Sequence, residues 1–159
     1  MNLARIIFAI VVLTLVGLQL VHTPRNESAR HSPDDLFVKY AAHEDVKNAI
    51  RESCYDCHSD NTRYPWYDTI QPIAWWVGRH IDEGKDHVNF SEFGRYSTKR
   101  AARKLEQSYE EIDGDTMPLL TYRLMHPKSR FSPETKKQVL AWLDATQDKI
   151  EPENDKTAE

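Results

Sequence analysis

Apolar residues recur along this chain at helical spacing in several stretches and alternate at strand spacing in none. Ahead of these stretches stands an unbroken apolar run, Ile6 to Val21, which carries no charge and follows a single Arg5. A helix apolar on every face beside a positive terminus fits an export signal or a membrane span better than a core helix. The end of the run, Leu20-Val21-His22, lacks the small residues of a cleavage site and has no cysteine for lipid attachment, so residues 1–22 are expected to stay as an N-terminal transmembrane helix or signal anchor. With Arg5 on the cytoplasmic side, the rest of the chain lies outside. Residues 23–32 are polar and read as a tether; the folded domain is expected over 33–150, and 151–159 read as a flexible tail.

Within the domain, Ser32-Pro33-Asp34-Asp35 combines a capping hydroxyl, a first-turn proline and acids at the positive end of the helix dipole. Val46, Ala49, Ile50 and Ser53 share one helical face. Asp68 is a candidate cap for a helix that would bury Ile70, Ile73, Val77 and Ile81, with Pro72 in its first turns and Gly84 at its end. Ser97 to Ile112 would bury Ala102, Leu105, Tyr109 and Ile112 and stop at Gly114. Ser132-Pro133-Glu134 opens a last helix with Val139, Leu140 and Leu143 on one side. The predicted fold class is all-α, and no internal repeat is visible.

A length of 159 residues allows one domain with an extension, and 40% apolar composition supplies a packed core and excludes a disordered chain. The balance of 21 Lys and Arg against 25 Asp and Glu removes nucleic acid as a leading partner. Two cysteines are too few for a disulfide scaffold or for a four-thiolate zinc or iron–sulfur site within one chain.

Those two cysteines belong to Cys54-Tyr55-Asp56-Cys57-His58, the C-x-x-C-H pattern of c-type haem attachment. Thiols three positions apart reach the two vinyl groups on one porphyrin edge, and the adjacent His58 falls under the iron as proximal ligand. Attachment takes place outside the cytoplasm, which suits the N-terminal segment. The competing readings are a zinc site, a thioredoxin-like redox pair and a plain disulfide. Zinc lacks a second ligand pair at a plausible spacing, and the redox pair lacks its βαβ context.

For the sixth iron position the downstream candidates are Met117, Met125, His80, His87 and His126. Met117 is favoured, because Gly114-Asp115-Thr116 before it and Pro118 after it place it on a loop free to approach a porphyrin face. Met125, beside Leu124, reads as core filling. Tyr64, Trp66, Tyr67, Trp75 and Trp76 form a dense aromatic group suited to a haem pocket or to an ordinary core, and Arg63, Arg79 and Arg95 are candidate propionate partners.

The chain resembles the haem-binding-domain family of small bacterial c-type cytochromes. The likeness runs through Cys54 to Ser59, Pro65-Trp66-Tyr67, Pro72 to Trp76, Gly84, Asn89 to Phe93, Met117-Pro118 and His126 to Trp142; Leu119 stands where such sequences continue with a second proline. The resemblance implies a cytochrome c-like helical domain around one covalent haem c, with thioethers at Cys54 and Cys57 and axial ligands His58 and Met117. Two strong axial ligands leave no open position, so the expected role is an electron carrier rather than an enzyme: a membrane-tethered cytochrome in the bacterial cytoplasmic membrane, its haem domain outside, serving redox partner proteins. The alternatives are a sensor or catalytic haem with a displaceable distal ligand, and a haem-bearing accessory subunit of a membrane complex.

Overall fold

The computed structural model describes residues 2–28 and 32–155, the last five by their backbone alone; residues 29–31 of the expected tether and 156–159 of the expected tail lie outside the described residues. Ser97 and Ser132 supply the capping hydroxyls their sequence positions suggest, each accepting a backbone N–H three residues on. From these caps run α6 (Thr98–Asp113) and α8 (Pro133–Asp155). The two pack along each other, and α3 (Glu44–Ser53) lies across α8. Leu105, Val139 and Leu143 are fully buried where they meet, with Val46, Ile50, Ala101 and Ile112 around them. Helix α6 stops at Gly114 as expected, although the left-handed residue in the turn is Asp115 (φ 57°). Asp tolerates that region through local side-chain bonding.

Around this frame sit α2 (Leu36–Lys39), α4 (Tyr55–His58), α5 (Ile73–His87) and α7 (Leu120–Met125), with 3-10 helices at Trp66–Thr69, Phe90–Arg95 and Pro127–Ser129. Among the described residues there is no strand, and one isolated bridge joins Glu27 to Asn61. The architecture is all-α.

Five expectations change. The N-terminal run forms α1 (Leu3–Leu18), but its 16 residues fall short of a span, and among the described residues no helix is long and apolar enough to cross a membrane. Asp35, not Ser32, caps the first domain helix, accepting from the Phe37 N–H at 2.9 Å. Helix α5 starts at Ile73 and buries Ala74, Ile81 and Gly84, while Ile70 and Ile73 stay exposed and Gly84 lies inside the helix instead of ending it. The fourth change concerns the tether. Gln71 N–H donates to Gln19 Oε1 (3.0 Å) and Gln71 Nε2 to the Val21 carbonyl (2.8 Å), while Asn26 Nδ2 donates to the Ser59 carbonyl (2.7 Å). The segment is a strap laid on the domain. At the other end, α8 continues through Asp155, past the expected boundary at Ile150.

Candidate functional site

The attachment motif begins where α3 ends. Cys54 closes α3 and opens α4, and its carbonyl accepts the N–H groups of Cys57 (3.2 Å) and His58 (2.9 Å). One helical turn thus puts Cys54, Cys57 and His58 at positions i, i+3 and i+4, on a common face. Both cysteines are free thiols. Burial pushes the Cys54 thiol up to about 12, helped by the neighbouring Cys57, and the Cys57 thiol up to about 11, helped by Asp56. A nucleophilic redox pair needs the opposite shift, so the thioredoxin-like reading loses ground. Among the described residues no group of three or more His, Cys, Asp and Glu is arranged to hold a metal ion, so protein ligands alone do not assemble a zinc site there.

His58 is oriented by α5. Its Nδ1 lies 3.2 Å from the carbonyl oxygen of Val88, the residue that caps α5. A carbonyl only accepts, so the proton sits on Nδ1 and the Nε2 lone pair is free. Burial holds the imidazole below the usual histidine range, with hydrogen bonding to the Val88 and Gly84 backbone acting against that shift. Neutral imidazole with a free Nε2 is the form that ligates iron. Gly84 permits this approach: a Cβ there would lie 2.6 Å from the Cys57 carbonyl oxygen. The Phe90 ring, 6.0 Å from the His58 ring, supports it from the core.

The two variable positions of the motif fasten it. Tyr55 stacks between Phe37 and Phe90 at 5.8 and 5.4 Å, and its hydroxyl donates to the Asp35 carboxylate (3.1 Å). The buried carboxylate of Asp56 accepts from Arg63 Nε (3.0 Å), from the Arg63 backbone N–H (3.1 Å) and from the Tyr122 hydroxyl (2.6 Å). Sequence reasoning passed over Asp56 and Tyr122. A charge inside an attachment motif was the available signal, since a buried carboxylate demands donors.

The other expected residues fall in different places. Met117, on the loop after α6 with a cis bond to Pro118, lines a cavity of about 430 Å³ together with Leu120, Leu124 and Phe131; Cys54, Cys57 and His58 do not line it. Met125 is exposed, which corrects its reading as core filling. His80 packs on Trp76 (4.2 Å) and bonds its carbonyl, and His87 lies exposed at the end of α5. His126 stacks on Tyr122 at 4.1 Å, with its Nε2 3.4 Å from the Tyr67 hydroxyl, so it stands one side chain away from Asp56. The propionate candidates already have anionic partners: Arg63 pairs with Asp56 and Glu52, Arg79 with Glu83, and Arg95 with Asp34 and Glu92. The aromatic group divides. Tyr64 accepts the Asn26 N–H from the strap (2.6 Å), whereas Trp66, Trp75 and Trp76 are exposed.

The residues present fit a haem at this motif: two thiols and a neutral imidazole share one helical turn. No curated protein and no solved structure matches the chain. The haem-binding domain family matches residues 13–145, from the last turns of α1 through most of α8. With that match covering well over half of the sequence, the chain belongs to the haem-binding domain family.

Proposed function

We propose that this protein is a c-type cytochrome that holds one haem covalently through Cys54 and Cys57, ligates its iron through His58 and Met117, and passes single electrons between redox partner proteins at the outer face of the cytoplasmic membrane. Its main support is the His58 ring, whose Nδ1 is engaged by Val88 beside two protonated thiols. Each thiol would add across a vinyl double bond, sulfur joining one carbon and hydrogen the other, with no net oxidation. The bound haem supplies one-electron chemistry at iron. The chain's own residues hold that iron: Val88 fixes the His58 tautomer, Gly84 lets α5 reach it, and Asp56 locks α4 in place. Helix α1 exposes apolar side chains on all sides and buries none, which suits retention in a membrane.

Haem staining on a denaturing gel and intact mass test the attachment. Wild-type chain matured in an exporting host should carry the mass of one haem, and the Cys54→Ala, Cys57→Ala double variant none. An unmodified wild-type mass overturns the proposal.

The separation of Met117 from the motif favours a second reading, a sensor haem whose distal position exchanges ligands. Carbon monoxide decides between the two. For a carrier ligated by Met117, ferrous wild type stays unreactive and Met117→Ala gains carbon monoxide binding with a lowered potential, because a thioether favours ferrous iron. Ready binding by the wild type selects the sensor.

A further inference from the structure

The strap, the short N-terminal helix and a group of exposed apolar residues lie together. At about 1.5 Å per residue α1 is roughly 24 Å long, against a hydrocarbon core of about 30 Å. No slack follows it: Gln19, the next residue, is bonded to Gln71 in both directions, Gln71 N–H to Gln19 Oε1 at 3.0 Å and Gln19 Nε2 to the Gln71 carbonyl at 3.2 Å. A helix shorter than the bilayer, joined without slack to a domain, draws that domain into the headgroup layer.

The strap also sets which end arrives first. Val21 bonds to Gln71 before α5, Thr23 lies against Gly78 in mid-helix, and Asn26 accepts from Lys85 near its end. Strap and α5 therefore run in the same direction, away from α1. The start of α5 and the 3-10 turn before it are the membrane-proximal end. Exposed large apolar residues gather there: Leu20 (79%), Trp66 (75%), Ile70 (40%) and Trp75 (41%). Trp75 stands nine residues before Gly84, half a turn out of phase with it, so it points away from the face that meets Cys57. Trp75 therefore lies on the side of α5 opposite the Cys57 contact.

We infer that Leu20, Trp66, Ile70 and Trp75 form a collar that beds the domain into the headgroup–acyl boundary of the bilayer around the exit of α1. Tryptophan favours that boundary, where its ring is shielded and its N–H stays wet. The collar extends the apolar length that α1 alone lacks. This inference rests on the membrane reading of α1 and adds the orientation of the domain.

The test uses full-length, haem-loaded protein in the membranes of its expression host. A photoreactive benzoylphenylalanine replaces Trp66, Trp75 or, as the control, Asp86. Asp86 is exposed on the same face of α5 as Trp75, about three turns further from α1. Phospholipid adducts should form at positions 66 and 75 and fall to background at 86. Adducts to protein alone at 66 and 75, no adducts at all, or equal lipid labelling at 86 overturn the collar. A carbonate wash separates the two levels: protein that stays in the membrane without lipid adducts ends the collar and spares the membrane reading, while protein released by the wash ends both.

Discussion

At the scale of single residues, Gly84 decides how closely two helices meet. Its missing side chain leaves room for the Cys57 backbone, and the same approach carries the Val88 carbonyl to His58. In an open helix a Gly84→Ala change would stabilise by up to about 1 kcal/mol through helix propensity. Here the new methyl would meet a backbone carbonyl 2.6 Å away, which cannot rotate aside, and overpacking of this kind costs about 1–3 kcal/mol. The clash wins. Gly84→Ala should lower the denaturant midpoint of the haem-loaded protein and reduce the ratio of haem to protein after maturation. An unchanged ratio and midpoint would show that α5 slides away without consequence for His58.

At the scale of elements, α4 is only four residues long, too short to persist without outside support. The Asp56 carboxylate provides that support by tying α4 to Arg63 and, through the Tyr122 hydroxyl, to α7. Tyr122→Phe removes a hydrogen bond to a charged acceptor and should cost about 1.5–3 kcal/mol of stability, read as a drop in denaturant midpoint with the haem spectrum retained. These partners were not legible in the sequence, because Tyr122 lies 66 residues beyond Asp56 and nothing in either neighbourhood marks the pairing. The long amphipathic helices were legible: α3, α6 and α8 carry apolar faces at helical spacing, and Ser97 and Ser132 cap the last two. Helix α5 was legible in existence but not in its ends, expected at Asp68 and Gly84 and found at Ile73 and His87, and its docking face was only partly read. Of the stripe expected there Ile81 is buried as read, but Ile70 and Ile73 are not, and the helix also docks through Ala74 and Gly84, where smallness is the point. The 3-10 helix Phe90–Arg95 escaped notice because six residues are too few to reveal a period, although it buries Phe90 and Phe93 in the core. Of the candidate site, Cys54, Cys57 and His58 share one turn and were legible at once; the placement of Met117 depends on how α7 and its loop fold back, which local pattern does not encode.

At the scale of the whole molecule, the strap makes the N-terminal segment part of the domain. Asn26 is its main fastening: Nδ2 donates to the Ser59 carbonyl and to Thr62 Oγ1, and Oδ1 accepts from Lys85 Nζ at 2.8 Å. Asn26→Ala strips these bonds and leaves the Ser59 carbonyl without that donor, so a loss of about 1–3 kcal/mol is expected in the haem-loaded protein. The same variant should make the 23–28 segment more open to proteolysis, because the bond from the Asn26 backbone to Tyr64 would be left with little support. On the membrane reading the fastening has a kinetic side. A domain on a loose cord sweeps a wide volume and meets partners from any quarter, whereas a bracketed one offers a single edge at a fixed height. Electron exchange would then follow the lateral density of partners in the plane of the membrane more than their concentration in the surrounding fluid.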